Sequence, residues 1–322
     1  MICKNILLDE TNPKVYLSTY ILEHSNEYDA DKLRPAVLIF PGGGYTMTSD
    51  REAEFVALAF AAKGYHAFVL RYSVKEYPIM PKTIVEAFQT IKLIRAHAGE
   101  WYVDANKLTV CGFSAGGHLA SCTLTMWDDP FFMAAADADS AVLRPNAGIL
   151  GYPCIVFPSR NAPVKTEFTE DMLDEIIEHF LPELPVKSPE EARDLIYADE
   201  GAVWMDFSEI LNRTLVGKKG YSQEEIQEYS TDLRVDGETP PAFVWTTRTD
   251  QTVPAEDSLA FVNEMVASGC DVEFHLFGDG PHGLSLAEEQ TAGSEDMMDP
   301  HAAKWFLLAL EWLKEIYKNN RA

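Results

Sequence analysis

The sequence predicts an α/β protein in which helices flank a central, mostly parallel sheet. Strand and helix patterns alternate along much of the chain, and several of the strands are short, continuous apolar runs. Parallel neighbours need a crossover connection, which a helix supplies, and strands buried on both faces are apolar throughout. A chain of 322 residues can bury a large core as a single domain.

The core elements follow a regular order. Residues 15–23 alternate and predict an early strand, and the polar loop 24–32 is typical of a turn between antiparallel strands. The apolar run 35–40 predicts a buried strand that enters a tight glycine loop. The remaining predicted core elements are a helix over 52–63, a strand over 66–72, a helix over 81–97, a strand over 108–112, a helix over 115–127, strands over 147–152 and 242–247, a helix over 255–268, a strand over 272–277 and a helix over 302–317.

About ninety residues without a clear strand pattern separate the strands over 147–152 and 242–247. This stretch is far longer than an ordinary connection between two strands, so an insertion is expected. Its helical patterns cover 169–181, 188–197, 208–215 and 222–229. We predict a core formed by residues 1–157 and 237–322, with residues 158–236 as a helical cap over the carboxyl edge of the sheet, where α/β proteins bind ligands. The alternative is a helical insertion that lies far from the site.

The charge of the chain disfavours polyanionic partners. Acidic residues outnumber basic ones 51 to 26, which gives a formal charge of −25 at neutral pH. Electrostatic binding to nucleic acid or to an anionic membrane is therefore not expected. The sequence has no apolar run of membrane-spanning length and no signal peptide pattern, and its five scattered cysteines include no CxxC pair. These features predict a cytoplasmic protein with free thiols.

The pentapeptide Gly112-Phe113-Ser114-Ala115-Gly116 follows a predicted strand and opens a predicted helix. This strand-turn-helix setting is typical of a nucleophile elbow, in which flanking glycines leave room for a sharp turn around the serine. A serine hydroxyl is a weak nucleophile, so the chemistry requires a base and an acid that orients it. Ser114 is the predicted nucleophile, and a structural helix cap is the alternative.

His282 and Asp250 are the predicted base and acid. His282 lies in a glycine-rich loop just after the last predicted strand, and Asp250 lies in the loop after the strand over 242–247. Their order after the serine is that of the α/β elbow enzymes. Glu256 and Asp257 fall on the next helix and are expected to be surface charges, while His118 is expected to point away from the tip of the elbow.

An acyl transfer also needs N–H donors that face the developing oxyanion. The Pro41-Gly42-Gly43-Gly44 loop lets the backbone approach closely, and the residue after the nucleophile begins a helix. We predict that the N–H groups of Gly43, Gly44 and Ala115 form the oxyanion hole. A loop that serves only as a tight turn is the alternative.

Several of these stretches together resemble bacterial acetylesterases and acetylxylan esterases of the α/β-hydrolase superfamily. They are Pro41-Gly42-Gly43-Gly44-Tyr45, Arg51-Glu52, the run from Gly64 to Ser73, and the run from Gly112 to Ala120. The resemblance implies removal of acetyl groups from acetylated sugars such as xylan fragments, without a metal or an organic cofactor. It assigns the triad and the oxyanion hole to the same residues as above.

Substrate choice stays open at this stage. Related lipases have His-Gly-Gly-Gly where this chain has Pro41-Gly42-Gly43-Gly44, and the insertion is longer than compact members need. Tyr45, Trp204 and Trp245 are candidates for stacking on a sugar, with core packing as the alternative. The expected partner is a small-molecule or oligosaccharide ester, imported rather than polymeric, and assembly into a homo-oligomer stays open.

Three rival functions share the scaffold. A feruloyl or general short-chain carboxylesterase would carry the same motifs. A peptidase of the prolyl oligopeptidase type would normally carry a propeller domain, which is not expected in this sequence. A non-catalytic binding protein tends to lose a triad member, whereas this chain has all three.

Overall fold

The computed structural model describes residues 1–25, 27, 32–159, 164–199 and 201–319. The strands are β1 (Ile2–Leu7), β2 (Tyr16–Ile21), β3 (Arg34–Phe40), β4 (His66–Arg71), β5 (Val103–Phe113), β6 (Ala147–Gly151), β7 (Val164–Thr169), β8 (Ile196–Asp199), β9 (Ala202–Met205), β10 (Ala242–Thr247) and β11 (Val272–Phe277). The α-helices are α1 (Glu54–Ala61), α2 (Lys82–Ala96), α3 (Ala98–Trp101), α4 (Ala115–Thr125), α5 (Pro130–Ala136), α6 (Ser140–Leu143), α7 (Leu173–Phe180), α8 (Pro189–Ala192), α9 (Phe207–Val216), α10 (Gln223–Gln227), α11 (Ala255–Ala267) and α12 (Trp305–Asn319).

The main sheet has eight strands in the order β1-β2-β4-β3-β5-β6-β10-β11. Strand β2 runs antiparallel to its neighbours β1 and β4, and all other adjacent pairs are parallel. In this register Phe40 lies beside Gly112, and Phe113 lies beside Gly151. The loops that follow β3, β5 and β6 therefore leave the sheet at the same edge.

Two apolar clusters cover the two faces of this sheet. One joins the sheet to α2, α4 and α11, and the other joins it to α1 and α12. Strands β6 and β10 are buried along their whole length, as expected for strands with helices on both faces. The predicted α/β architecture is confirmed. Among the described residues, no helix has both the length and the apolar character that crossing a bilayer requires.

The amino-terminal strands differ from the prediction. The sequence pattern missed β1, because this edge strand is almost entirely exposed and carries no apolar alternation. The predicted turn over 24–32 lies partly outside the described residues. Its expected role as a link between antiparallel neighbours is not observed, since β2 pairs with β1 and β4 rather than with β3.

The insertion is not wholly helical, contrary to the prediction. Strands β7, β9 and β8 form a small antiparallel sheet. The helix predicted over 188–197 ends at Ala192, and the chain enters β8 at Ile196. Two of these strands are four residues long, which is too short for alternation to distinguish them from a helical turn. The helices expected near 169–181, 208–215 and 222–229 are present as α7, α9 and α10.

The predicted insertion has two parts with different packing. Residues of α7, α8, β8 and β9 share a small apolar cluster of their own. Leu211 and Leu215 of α9 and Ile226 of α10 instead belong to the main core. The N–H groups of Ile79 and Met80 also donate to the last turns of α9. Helix α9 thus joins the two parts, since its Ile210 packs in the small cluster. The part with a separate core is shorter than residues 158–236.

Arg213 links α9 to the preceding part of the insertion through an ion-pair network around its buried guanidinium. Its side chain is only 4% exposed, and its Nε lies 2.7 Å from Glu209 Oε1. A second contact of 3.4 Å reaches Asp194, whose carboxylate also binds Lys219. Tyr221 donates to the other oxygen of Glu209.

We predict that Arg213→Ala lowers the free energy of unfolding by about 2–4 kcal/mol, because it leaves the partly buried Glu209 carboxylate without its cation. The matched control is Arg193→Ala, which removes a pair with Asp174 whose side chains are both more than half exposed. That control should cost about 1 kcal/mol or less. Urea unfolding followed by circular dichroism measures both, and equal effects would contradict the prediction.

Candidate active site

Ser114 occupies a strained turn between β5 and α4. Its backbone has φ 52° and ψ −121°, a positive φ that a residue with a side chain rarely adopts. Such a conformation costs about 1–3 kcal/mol and persists only when its surroundings enforce it. Here the Ser114 N–H donates to Gly151 O at 3.0 Å, and its carbonyl accepts the His118 N–H at 2.9 Å. The turn places the serine side chain beyond the carboxyl end of β5.

The glycines around Ser114 are required by close packing. A Cβ on Gly112 would lie 2.0 Å from Gly116 O, and a Cβ on Gly116 would lie 2.0 Å from Phe40 O. Both contacts are with backbone atoms, so no side-chain rotation could relieve them. The elbow is therefore pressed against the end of β3, where the glycine loop begins.

Three distant side chains meet in one hydrogen-bonded row. His282 Nε2 lies 2.8 Å from Ser114 Oγ, and His282 Nδ1 lies 2.6 Å from Asp250 Oδ2. The carboxylate accepts a hydrogen bond from Nδ1–H, which leaves Nε2 to accept the serine hydroxyl. The Asp250 side chain is 1% exposed, whereas that of His282 is 18% exposed. The row thus runs from a buried acid to a partly accessible histidine and serine.

The loops that carry Asp250 and His282 are tied to each other. The second carboxylate oxygen of Asp250 accepts the N–H groups of Thr252 and Val253 at 2.8 and 2.9 Å. The Thr249 hydroxyl donates to Asp279, which lowers the pKa of that carboxyl, and the Gly280 N–H donates to Thr249 Oγ1 at 2.9 Å. These bonds restrict the carboxylate and the histidine loop without occupying the oxygen that faces His282.

The glycine loop crosses directly over the elbow. A Cβ on Gly42 would lie 3.0 Å from Ser114 Cβ. Gly43 and Gly44 both have positive φ, 126° and 59°. Within the described part of the chain, the N–H groups of Gly43, Gly44 and Ala115 donate no hydrogen bond, and Ala115 is the first residue of α4. Their donors are free to bind an oxyanion, as the prediction requires.

Two of the three aromatic residues predicted to contact substrate are buried. Tyr45 and Trp245 are both 0% exposed, so neither offers a face to a sugar, and that prediction is wrong for them. The Tyr45 hydroxyl binds His118 Nδ1 at 2.7 Å, and Trp245 stacks on Trp305. Trp204 lies half-buried on β9 and donates to Asp199 O at 3.3 Å, so its contact with substrate stays a prediction.

Burial keeps two titratable neighbours of the elbow, His118 and Cys154, neutral. Burial lowers the pKa of His118 to about 4, and its Nε2–H donates to Tyr229 O at 2.8 Å. His118 therefore accepts from Tyr45 and does not compete with His282 as base. Burial raises the pKa of the Cys154 thiol, which contacts Ser114. No group of three or more histidine, cysteine or carboxylate side chains within the described ranges is arranged to hold a metal ion.

Near the site, the sequence analysis did not predict the burial of two acids, Asp257 and Glu52. Asp257 is 4% exposed rather than a surface charge, because α11 begins beneath the loop after β6 and its carboxylate accepts the N–H groups of Ile155 and Val156. Glu52 is also 4% exposed and binds Gly42 and Tyr152. The only sequence signal for Glu52 was its place in the Arg51-Glu52 pair.

A mainly parallel sheet with a strained serine after a central strand, in contact with a histidine from the last sheet loop, is the architecture of α/β hydrolases. The chain belongs to this family. It is 30% identical to MGS-M1, an α/β-hydrolase enzyme from a Medee basin deep-sea metagenome library, over 98% of both chains, with a TM-score of 0.67. A family model described as BD-FAE matches residues 22–142.

Other relatives have more specific descriptions. The acetyl ester-xyloside bifunctional hydrolase from Caldicellulosiruptor lactoaceticus is 29% identical over 96% of this chain and 91% of that one, with a TM-score of 0.67. An acetylxylan esterase from Xylanibacter ruminicola is 26% identical over 257 residues, which are 78% of this chain and 41% of that protein. The chain spans less than half the length of the curated relatives it matches.

We predict that Gly116→Ala destabilises the protein by roughly 3 kcal/mol or more, because its Cβ overlaps the Phe40 carbonyl and the backbone must move. Gly99→Ala in α3 is the matched control, since a Cβ there meets nothing within 4 Å. Thermal unfolding of both variants tests this. A Gly116→Ala variant with the melting temperature of the wild type would show that the elbow is not as tightly packed as described.

Proposed function

We propose that the protein is a serine carboxylic-ester hydrolase that removes acetyl groups from acetylated sugars. The observation that carries the proposal is the row of Ser114, His282 and Asp250, with contacts of 2.8 and 2.6 Å. A hydroxyl, an unprotonated imidazole nitrogen and a buried carboxylate in this order are what acyl transfer through a serine requires. The free N–H groups of Gly43, Gly44 and Ala115 support it independently.

In the acylation step, Ser114 Oγ attacks the ester carbonyl carbon while His282 Nε2 takes the hydroxyl proton. The negative charge that forms on the carbonyl oxygen is stabilised by the N–H groups of Gly43, Gly44 and Ala115. Asp250 keeps the imidazole in the required tautomer and stabilises the imidazolium. The C–O bond to the alcohol then breaks, and His282 returns the proton to the leaving oxygen.

Deacylation repeats these roles with water as the nucleophile. His282 removes a proton from the water as it attacks the acyl carbon of the Ser114 ester. The tetrahedral species uses the same N–H donors, and its collapse releases the acid and restores the serine hydroxyl. The partial exposure of His282 is consistent with access of water to Nε2.

The acetyl group and the sugar are the finer part of the proposal. They are supported by the motifs shared with acetylesterases and by relatives whose names include acetyl ester and acetylxylan. A feruloyl or general short-chain carboxylesterase would use the same residues, so substrate preference has to be measured directly.

We predict that the purified protein releases acetate from acetylated xylo-oligosaccharides and that Ser114→Ala lowers kcat by at least roughly 10⁴-fold, because the nucleophile is lost. Ser18→Ala on β2, a serine that binds Asn5, is the matched control and should retain full activity. Acetate release followed by an enzyme-coupled assay provides the measurement. Equal rates for Ser114→Ala and the wild type would contradict the proposed mechanism.

A second measurement separates the candidate substrates. Acetylated xylo-, manno- and cello-oligosaccharides and feruloylated arabinoxylo-oligosaccharides are compared at equal concentration by mass spectrometry. A higher kcat/KM for the acetylated series supports the sugar deacetylase. A higher value for the feruloylated series would transfer the proposal to a feruloyl esterase with the same triad.

A further inference from the structure

Glu52 is a buried carboxylate whose two oxygens each accept a hydrogen bond from an uncharged group. It lies at the end of a short 3-10 helix that precedes α1, and it is 4% exposed. Burying such a group is costly unless its oxygens are hydrogen-bonded. Its Oε2 accepts the Gly42 N–H at 2.7 Å, and its Oε1 accepts the Tyr152 hydroxyl at 2.6 Å. Both partners belong to segments of the candidate active site.

The bond to Gly42 positions the glycine loop over the nucleophile. A Cβ on Gly42 would lie 2.7 Å from Glu52 Oε2 and 3.0 Å from Ser114 Cβ, so the loop passes between the acid and the serine. The next two residues, Gly43 and Gly44, carry the free N–H groups. A shift of Gly42 would therefore move these donors relative to Ser114.

The bond to Tyr152 reaches the histidine loop. The Tyr152 hydroxyl accepts the Ser285 N–H at 2.9 Å, three residues after His282. The Tyr152 and His282 rings also pack in a T-shaped contact, with the ring centres 5.0 Å apart. Burial and the neighbouring Glu52 raise the pKa of Tyr152 well above its usual value, so the hydroxyl stays protonated and continues to donate.

Arg51 reinforces the same connection. Its guanidinium donates to Gly283 O at 2.8 Å, and its own carbonyl accepts the Ser285 hydroxyl at 2.7 Å. The dipeptide Arg51-Glu52 thus contacts the glycine loop and both flanks of the turn after His282.

We propose that Glu52 is a positioning residue that couples the oxyanion hole to the histidine loop through Gly42 and Tyr152. This inference rests on the proposed esterase function. Glu52 does not touch the reacting atoms. It holds the N–H donors and the base in register with Ser114, so its loss weakens contacts made in the transition state more than those made with bound substrate.

The test is Glu52→Gln, which keeps the shape but places an NH2 group against Gly42 or Tyr152, both of which donate to the carboxylate. We expect kcat to fall roughly 10–100-fold with KM changed by no more than about twofold, because misplaced donors impair the transition state. The affinity for a trifluoromethyl ketone, which adds to a serine hydroxyl as a tetrahedral oxyanion, should fall by a similar factor.

A second variant and a control separate positioning from stability. Tyr152→Phe removes the hydroxyl that joins Glu52 to Ser285 and should also lower kcat, with a less than additive effect in the double variant. Glu86→Gln is the matched control, since Glu86 is 7% exposed and its carboxylate likewise accepts a backbone N–H and a hydroxyl, both from Ser73. It should lose stability and keep its kcat.

A Glu52→Gln enzyme that melts earlier but keeps both kcat and ketone affinity within about twofold of the wild type would overturn the positioning role. A wild-type enzyme that neither hydrolyses esters nor binds the ketone would overturn the proposed function, and this inference with it. Rates are expressed per reactive serine, counted by titration with a fluorophosphonate, so that partial unfolding of a variant does not imitate loss of kcat.

Discussion

The hydrogen bond between His282 and the buried Asp250 is the interaction on which the candidate site depends. It determines which imidazole nitrogen carries the proton and leaves Nε2 facing Ser114. The bond in turn depends on the parallel sheet. Because β5, β10 and β11 run in the same direction, the loops that follow them leave at one edge and bring together residues separated by 168 positions.

Close backbone packing makes the arrangement rigid. Gly112 lets the turn close tightly on Gly116, and Gly116 lets the elbow contact the end of β3. These contacts hold Ser114 in a conformation that an isolated peptide would avoid. A second set of contacts, through Glu52 and Tyr152, joins the glycine loop to the segment after His282. Backbone packing thus holds the nucleophile, whereas Glu52 and Tyr152 hold the base and the predicted oxyanion donors.

The elbow, the acid and the base could be predicted because each has a local signature. Ser114 lies between a strand and a helix, and both Asp250 and His282 follow apolar strand patterns. The burial of Tyr45 and Trp245 could not be predicted from a local pattern, since an aromatic residue is equally suited to a core and to a sugar-binding site. Glu52 was missed because the partners that permit its burial, above all Tyr152, lie far away in sequence.

The structure of the protein after reaction with a small alkyl fluorophosphonate tests the site most directly. The phosphorus should be bonded to Ser114 Oγ, with its phosphoryl oxygen within hydrogen-bond distance of the N–H groups of Gly43, Gly44 and Ala115, and with His282 still bound to Asp250. A phosphonyl group attached to another residue, or one on Ser114 whose oxygen points away from those N–H groups, would contradict the proposed chemistry.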